Sequence, residues 1–374
     1  MASICWKSFF VSVYLKKEQF ALSKRSNLHK IRLGMEKRNQ LIMTARAMVA
    51  DHKGLVAIDE STATLNKRFE AAGIPQTEAY RRAYREVLIT TPGIGDFING
   101  AILFDETVYQ KSLAGVSFIQ LLNEAGVIPG IKLDEGTEEL AGFPGEKVTK
   151  GLDDLVERLQ KYSELGLKFA KWRGVILIDG ALPSDACIVS NAHALARYAA
   201  ACQQAGIVPI VEPEVIMDGK HTIERCAEVT ERVLRELFHQ LYVLKVDLEG
   251  LILKPNMVLP GNDATEKASA ERVAELTVRC LRNAVPATVA GIAFLSGGQD
   301  PGEATENLNA MNSRYRDELP WPVTYSFSRA LHQPALEIWA GKDENAKAAQ
   351  ESFIELGTAN KTARKGELHS EVHP

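Results

Sequence analysis

The chain contains a series of short apolar segments, each of which ends in a polar cluster. These segments are residues 55–58, 101–104, 128–131, 169–178, 208–211, 251–253, 290–295 and 322–327. The stretches between most of them are rich in Ala, Leu, Glu, Lys and Arg at helical spacing. Alternation of strands and helices implies parallel strands joined by right-handed crossovers. Eight such units predict an α/β protein with a closed (β/α)8, or TIM, barrel, whose active site lies at the carboxyl ends of the strands.

The limits of the barrel domain follow from the pattern at each end of the chain. Apolar residues recur at helical spacing from Glu36 to Val49, which predicts an extra N-terminal helix before the first strand. No Gly/Ser/Pro-rich linker follows, so we predict one barrel domain over residues 35–360. Residues 361–374 are polar and are predicted to form a mobile, flexible tail. An open doubly wound sheet is the alternative fold, but no G-x-G-x-x-G motif follows the first strand.

Residues 1–34 form a basic leader in which seven Lys or Arg residues face a single acid, Glu18. This segment has two interpretations: an organelle transit peptide, or an extension from a mis-called start with Met35 as the true beginning. The five cysteines are scattered and form no C-x-x-C pair, which is typical of reduced thiols in a cytosol-like compartment. We therefore expect a cytoplasmic protein, or a plastid protein if the leader is a transit peptide.

Charge and apolar patterning exclude several classes of partner. The formal net charge is -4 and the pI is near 6.1, so the chain has no global basic field for nucleic acid. No uninterrupted apolar run is long enough to cross a bilayer, so a membrane is not an expected partner. The eight histidines are dispersed, without an H-E-x-x-H motif or a Cys/His cluster, and no metal site is predicted.

The segment around Lys254 holds the first candidate catalytic residue. Leu251, Ile252 and Leu253 suit a buried strand that ends at Lys254-Pro255, and the residue before a proline is held extended. Lys254 is then anchored on a rigid element among apolar neighbours. Burial disfavours the ammonium form of a lysine and can leave an amine nucleophile. The alternative is a lysine that emerges at the strand end and extends into water.

Charged residues at other strand ends can meet Lys254 in the barrel mouth. Because side chains alternate faces along a strand, the same mouth can receive Asp59, Lys171, Arg173, Glu212 and Glu214. For any one of them a structural ion pair is the simpler explanation, but their convergence favours a site. The nearby cation of Lys171 would also favour a neutral amine at Lys254, which could attack a ketone. A carboxyl such as Glu212 could serve as general acid and then as base.

A second pattern indicates phosphate binding. Ser296-Gly297-Gly298 ends the seventh strand, and Pro301 suits an early position in the helix that follows, whose N-terminus favours an anion. Loops after strands seven and eight are the usual phosphate site of such barrels, and Arg329 ends strand eight as a fork-shaped donor. A second anion could be held across the mouth by Ser61, Thr64, Arg68 and Lys132.

Several of these motifs together resemble one enzyme family. They are LVAIDEST (55–62), GIKLDEG (130–136), FAKWR (169–173), IVPIVEPE (207–214), LILKPNMV (251–258) and FLSGGQ (294–299). The sequence resembles the class I, Schiff-base fructose-bisphosphate aldolases, in register from about Leu41 to Ser352. The resemblance implies reversible cleavage of fructose 1,6-bisphosphate to dihydroxyacetone phosphate and glyceraldehyde 3-phosphate, in glycolysis, gluconeogenesis or the Calvin cycle. It also implies a phosphorylated sugar as partner, no metal cofactor and a homotetramer.

The resemblance assigns roles to individual residues. It implies Lys254 as the Schiff-base nucleophile and Glu212 as the acid and base for dehydration and carbon–carbon cleavage. The partners that orient and polarise are then Asp59, Lys171, Arg173 and Glu214. One phosphate is expected at Ser296, Gly297 and Arg329, and the other near Ser61, Thr64 and Lys132.

The chain departs from the family pattern at three points. Animal members end in a tyrosine that transfers a proton to the enamine, whereas no tyrosine follows Tyr325 here. Ser328 stands where many members have glycine beside the phosphate-binding arginine, and Ala63 replaces another common glycine. The resemblance implies that catalysis is retained, but it identifies neither the enamine proton donor nor the preference between bisphosphate and monophosphate.

Two other functions remain open from the sequence. A different Schiff-base barrel enzyme, such as a transaldolase, would also use a strand-end lysine, although the two-phosphate arrangement argues against it. A non-catalytic scaffold that binds filaments could keep the same fold, but loss of a site residue would then be expected.

Overall fold

The computed structural model describes residues 34–368, in which most of the chain is helix or strand. In chain order the strands are β1 (Gly54–Ile58), β2 (Ile98–Leu103), β3 (Ile128–Lys132), β4 (Thr137–Glu139), β5 (Lys147–Thr149), β6 (Phe169–Ile176), β7 (Val208–Val215), β8 (Ile252–Leu253), β9 (Gly291–Phe294) and β10 (Val323–Phe327). All except β4 and β5 form a closed barrel of parallel strands in the order β1-β10-β9-β8-β7-β6-β3-β2. The predicted (β/α)8 barrel is therefore confirmed.

Helices surround the barrel. They are α1 (34–48), α2 (Thr62–Ala71), α3 (Glu78–Ile89), α4 (Asp105–Val108), α5 (Phe118–Glu124), α6 (Leu155–Glu164), α7 (Asp185–Ala205), α8 (Ile223–Val243), α9 (Ala270–Ala284), α10 (Pro301–Tyr315), α11 (Arg329–Trp339) and α12 (Ala346–Lys365). Several begin directly after a side-chain cap. Ser184 accepts from the N–H of Cys187 at the start of α7, and Ser269 accepts from the N–H of Arg272 at the start of α9. No helix within residues 34–368 is long and apolar enough to span a bilayer.

Alternating side chains divide the apolar core into two layers. Leu55 and Ala57 of β1 and Ile252 of β8 belong to a small cluster inside the barrel. Their neighbours Val56 and Leu253 belong to the large cluster between the strands and the helices. The period of two expected for a strand therefore holds, and it directs the next inward position after Ile252, Lys254, toward the barrel mouth.

Helix α1 closes the amino end of the barrel. Its residues Leu41, Ala45 and Met48, and Val49 directly after it, pack into the inner cluster. Gly291, at the start of β9, allows this contact, because a Cβ atom there would lie 2.8 Å from Val49. With this end filled, residues 34–368 leave the barrel open to a ligand at the carboxyl ends of the strands.

The ends of the described chain confirm one prediction and correct another. The predicted N-terminal helix is present, and it ends before the left-handed residues Asp51 and His52. The predicted tail from residue 361 is wrong for its first five residues: α12 continues to Lys365, packs on α10 and α11, and buries Ala363. Residues 1–33 of the leader and residues 369–374 lie outside the described residues. The β4–β5 hairpin is an element that the sequence pattern did not predict.

Candidate active site

A cleft of about 980 Å³ opens at the carboxyl ends of the barrel strands. It is lined by every residue that the sequence assigned to the site: Asp59, Ser61, Thr64, Lys132, Lys171, Arg173, Glu212, Glu214, Lys254, Ser296, Gly297 and Arg329. Arg68, named as a further anion ligand, and Asp134, which was not named, also line it. The structure therefore brings all the predicted residues to one place.

Lys254 is buried in the floor of this cleft. Its backbone N–H donates to the carbonyl of Val211 at 2.8 Å, which continues the pairing of β8 with β7. Only 4% of its side chain is exposed, and Nζ lies 3.4 Å from Oε1 of Glu212. The alternative that Lys254 extends into water is therefore wrong. The amino group is held on a rigid strand end beside a carboxylate.

Glu212 lies between two amino groups. Its Oε1 faces Lys254, and its Oε2 is 3.5 Å from Nζ of Lys171. The sequence predicted direct influence of Lys171 on Lys254, whereas the structure places this carboxylate in contact with both. Glu212 can therefore exchange a proton with Lys254 and with a substrate atom bound beside it, while Lys171 holds its other oxygen.

Lys171 is surrounded by carboxylates. Nζ lies 2.7 Å from Oδ2 of Asp59 and 3.6 Å from Oδ2 of Asp134, in addition to the contact with Glu212. Burial by itself lowers the pKa of the Lys171 amino group, but its three acidic neighbours outweigh burial and raise that pKa. Lys171 is therefore a fixed cation at neutral pH.

Asp59 is the matching fixed anion. Its burial opposes ionisation, but the charges of Lys171, Lys254 and Lys132 outweigh burial and lower the pKa of Asp59 to about 2. Its Oδ2 and the Oε2 of Glu212 are both buried and both face Nζ of Lys171, at 2.7 Å and 3.5 Å. A carboxylate oxygen can accept more than one hydrogen bond, so substrate hydroxyl groups could donate to these oxygens as well.

Arg173 and Glu214 form a pair on the wall of the cleft. The Arg173 Nε donates to Oε2 of Glu214 in a short contact. Glu214 is buried, whereas about 42% of the Arg173 side chain is exposed. The guanidinium therefore keeps donors facing the cleft while its charge is balanced from behind.

Asp134 is the site residue that sequence reasoning missed. Its Oδ1 accepts a contact of 2.7 Å from Nζ of Lys132, and its Oδ2 faces Lys171. Burial opposes its ionisation, but the charges of Lys171 and Lys132 outweigh burial and lower the pKa of Asp134. It lies two residues after Lys132, so the strand period that placed the other charges could have identified it.

Three residues group at one side of the cleft as a candidate anion site: Ser296, Gly297 and Arg329. Gly297 and Gly298 both have positive φ, 62° and 104°, and a Cβ atom on Gly298 would lie 3.7 Å from the Arg329 guanidinium. Small residues thus let this loop approach the arginine closely. The prediction that the helix after the loop supplies its N-terminus is not supported, because the carboxylate of Asp300 caps α10 by accepting from the Glu303 N–H at 2.9 Å.

A second group of donors lines the same cleft. Ser61 is the N-cap of α2, and its Oγ lies 3.1 Å from Oγ1 of Thr64. The N-terminus of a helix favours an anion, and the ammonium of Lys132 adds a cation from β3. Arg68, one turn further along α2, donates to Glu60 at 2.6 Å. The cleft therefore holds two groups of donors besides Lys254 and Glu212: Ser296, Gly297 and Arg329 follow β9 and β10, whereas Ser61 and Thr64 follow β1 and Lys132 ends β3.

Comparison with known proteins decides the family. The profile described as "Glycolytic: Fructose-bisphosphate aldolase class-I" matches residues 40–373. The chain belongs to the class I fructose-bisphosphate aldolases. Within residues 34–368 no group of three or more His, Cys, Asp or Glu side chains is arranged to hold a metal ion.

Named members of the class I aldolase family are similar over most of their length. A probable fructose-bisphosphate aldolase class 1 from Xanthomonas campestris is 55% identical over 87% of this chain and 98% of its own. Fructose-bisphosphate aldolase 4, cytosolic, from Arabidopsis thaliana is 50% identical over 87% of this chain and 83% of its own. A fructose-bisphosphate aldolase from Plasmodium falciparum, solved in complex with TRAP and a small molecule inhibitor, superposes with a TM-score of 0.88. It is 45% identical and covers 90% of this chain and 96% of its own.

Proposed function

We propose that this protein cleaves fructose 1,6-bisphosphate reversibly to dihydroxyacetone phosphate and glyceraldehyde 3-phosphate through a Schiff base on Lys254. Membership of the class I fructose-bisphosphate aldolase family supports this reaction and argues against the alternative of a transaldolase. The observation that carries the residue assignment is the buried amino group of Lys254, 3.4 Å from Glu212.

The first step requires an uncharged amine. Transfer of one proton from Lys254 to Glu212 yields both a neutral amine and a carboxylic acid. The amine attacks the C2 ketone of the substrate, and a proton moves from nitrogen to the new alkoxide to give a carbinolamine. The carboxylic acid of Glu212 then protonates the departing hydroxyl, which leaves as water. An iminium ion and a Glu212 carboxylate remain.

The iminium ion accepts the electron pair of the carbon–carbon bond. The Glu212 carboxylate removes the proton of the C4 hydroxyl, the C3–C4 bond breaks, and its electrons form an enamine with the lysine nitrogen. Glyceraldehyde 3-phosphate is released. Glu212 now holds the proton of the C4 hydroxyl, and one proton is returned to the enamine carbon C3. One water molecule then hydrolyses the resulting iminium, which releases dihydroxyacetone phosphate and restores Lys254.

The surrounding ion pairs position the sugar and stabilise charge. Lys171, fixed as a cation by Asp59 and Asp134, can donate to the substrate oxygens where negative charge develops. Asp59 and Glu214 offer carboxylate acceptors to sugar hydroxyls, and Arg173 offers a planar donor. Because these groups are already paired, they reorganise little as the reaction proceeds.

The two groups of donors divide the phosphates between them. The C1 phosphate is carried by the carbon next to the reacting ketone carbon. It therefore belongs with Ser296, Gly297 and Arg329, which follow β9 and β10, the two strands after β8 around the barrel. The C6 phosphate is at the other end of the sugar and belongs with Ser61, Thr64, Arg68 and Lys132.

Three further properties are part of the proposal. The enzyme works without a metal ion, because Schiff-base formation supplies the electron sink. It acts in the cytosol, as the name of the Arabidopsis relative suggests. It assembles as a homotetramer, which sedimentation equilibrium of the purified chain would test.

A direct turnover assay tests the proposed reaction. Purified protein is incubated with fructose 1,6-bisphosphate, and both three-carbon products are followed by NMR. We expect equal amounts of the two products and no turnover by the variant Lys254→Met, which keeps the length of the side chain. An inactive unsubstituted protein, or an active Lys254→Met variant, would contradict the proposal.

A further inference from the structure

One carboxylate oxygen joins the two phosphate-binding ends of the cleft. Oε1 of Glu60 accepts from Arg68 at 2.6 Å, on the side proposed for the C6 phosphate. The same oxygen accepts from the hydroxyl of Ser328 at 3.1 Å, and Ser328 directly precedes Arg329 on the C1 side. Only 4% of the Glu60 side chain is exposed, so this carboxylate depends on protein donors.

His332 determines which way the Ser328 hydroxyl points. Its Nε2 lies 3.0 Å from the carbonyl oxygen of Ala57, which can only accept, so Nε2 carries a proton. Nδ1 lies 2.8 Å from the hydroxyl of Tyr84. Burial is the main cause that lowers the pKa of His332, which agrees with a neutral ring. Although Ser328 Oγ is 3.2 Å from Nε2, that nitrogen is already a donor, so the hydroxyl hydrogen is left for Glu60.

Ser328 is consequently an unusual N-cap residue for α11. Serine at this position normally caps the helix with its side chain. Here the hydroxyl donates to Glu60 and makes no cap on α11. The first backbone N–H groups of α11 are thus free to bind an anion beside Arg329. The Ser328 hydroxyl instead donates to Glu60, the carboxylate that also binds Arg68.

We propose that Ser328 is a specificity-determining residue, whose hydroxyl remains as a donor to Glu60 when Arg68 turns from Glu60 to the C6 phosphate. This inference rests on the proposed function of the cleft. If Arg68 leaves a buried carboxylate that has no other donor, the desolvation cost of that carboxylate opposes binding. With the Ser328 hydroxyl in place the cost is smaller, so the bisphosphate gains affinity relative to a monophosphate.

His332 lies one helical turn after Ser328 and limits the partners of its hydroxyl. Its Nε2 is 3.2 Å from Oγ of Ser328 and 3.3 Å from Oε1 of Glu60, but its hydrogen is taken by the carbonyl oxygen of Ala57. The Ser328 hydroxyl is therefore the donor that stays with Glu60, and it favours substrates with two phosphates.

The test measures binding without chemistry. The probes are hexitol 1,6-bisphosphate and hexitol 1-phosphate, sugar alcohols that have no ketone and cannot react with Lys254. Their dissociation constants are measured by calorimetry for the unsubstituted protein, for Ser328→Ala and for Ser328→Thr, which keeps the hydroxyl. We expect Ser328→Ala to weaken bisphosphate binding about fivefold, the effect of one hydrogen bond. Ser328→Ala should bind the monophosphate as tightly as the unsubstituted protein does. Ser328→Thr should bind both probes as tightly as the unsubstituted protein does.

A double-mutant cycle identifies the route of the effect. If Ser328 acts through Arg68, Ser328→Ala should have no further effect on bisphosphate affinity in an Arg68→Ala background. Equal weakening of both probes, weakening in Ser328→Thr, or persistence of the effect without Arg68 would each overturn the inference. These outcomes are separate from a test of the proposed function. A protein that binds the probes as expected but does not cleave the sugar would contradict the proposed function and not the role of Ser328.

Discussion

The carboxylate of Glu212 lies 3.4 Å from the amino group of Lys254. Its other oxygen lies 3.5 Å from Lys171, a cation whose own charge is fixed by Asp59 and Asp134. One carboxylate is therefore in contact with a permanent cation on one side and the proposed nucleophile on the other. In the mechanism this allows Glu212 to take the proton of Lys254, return it to the leaving hydroxyl and then act as base.

Replacement of Glu212 by glutamine should remove both proton transfers and leave the shape of the site. We expect kcat of Glu212→Gln to fall by about 10² to 10⁴, the usual contribution of general acid–base catalysis. KM should change little, because neither phosphate is bound by this residue. Steady-state kinetics with fructose 1,6-bisphosphate measures both constants.

Glu214→Gln is the matched control for that variant. Glu214 lies two residues further along β7 and pairs with Arg173 instead of with the lysines. We expect a smaller loss of kcat than in Glu212→Gln. If the two variants lose the same activity, Glu212 has no special role as acid and base.

Asp59 should stabilise the folded protein only above acidic pH. Its pKa is lowered from 3.8 to about 2 in the fold, so its ionised form is favoured by folding. The stabilisation is present above pH 3.8 and is lost as pH falls from that value toward 2. At neutral pH this shift contributes about 2 kcal/mol to the free energy of unfolding. Urea unfolding of Asp59→Asn should show that deficit at pH 7.

The pH dependence separates this contribution from a packing defect. The difference in unfolding free energy between the unsubstituted protein and Asp59→Asn should shrink as the pH approaches 2. Asp153→Asn is the control, since Asp153 is exposed and makes no ion pair among the residues that the structure describes. A deficit of Asp59→Asn that stays constant from pH 5 to 2 would contradict the electrostatic explanation.

The two ends of the cleft should be separable with two substrates. Arg329→Ala should raise KM about 10- to 100-fold for both fructose 1,6-bisphosphate and fructose 1-phosphate, because both carry the C1 phosphate. Thr64→Val should raise KM only for the bisphosphate, and by about threefold to tenfold, because it removes one hydroxyl donor. Steady-state kinetics with each sugar gives the four values, and the reverse pattern would exchange the two phosphate assignments.

Much of the barrel could be predicted from sequence because each strand is a short apolar run that ends in a polar cluster. The run Leu251–Leu253 alternates between inner and outer cores and stops at a proline, so local pattern alone places Lys254. The β4–β5 hairpin was missed because its strands are three residues each and mostly exposed, with no apolar alternation. The length of α12 was missed because its last turn is polar in sequence, yet it packs on α10.

The contents of the site could be predicted, but not all of its contacts. Strand periodicity brought the charged residues to one mouth, and the structure agrees on their location. Strand periodicity could not show that Glu212 contacts both lysines, or that Asp300 caps α10, because both contacts depend on side-chain geometry. Arg68 and Ser328 both donate to Glu60. Ser328 is 268 positions from Glu60 in the chain, so no local sequence pattern reveals this contact.

Metal removal should have no effect on turnover. The proposed electron sink is the iminium ion on Lys254, and no step in the mechanism uses a metal. Activity after prolonged dialysis against EDTA should therefore equal that of the untreated protein, with no gain when zinc is added. Loss of activity that zinc restores would indicate a metal-dependent aldolase.

Covalent trapping at Lys254 tests the central claim most directly. The protein is mixed with dihydroxyacetone phosphate, the iminium ion is reduced with borohydride, and the digested protein is examined by mass spectrometry. We expect the reduced three-carbon phosphate on the peptide that contains Lys254, with parallel loss of activity. An active protein that carries no adduct at Lys254, or carries it on Lys171 instead, would contradict the account.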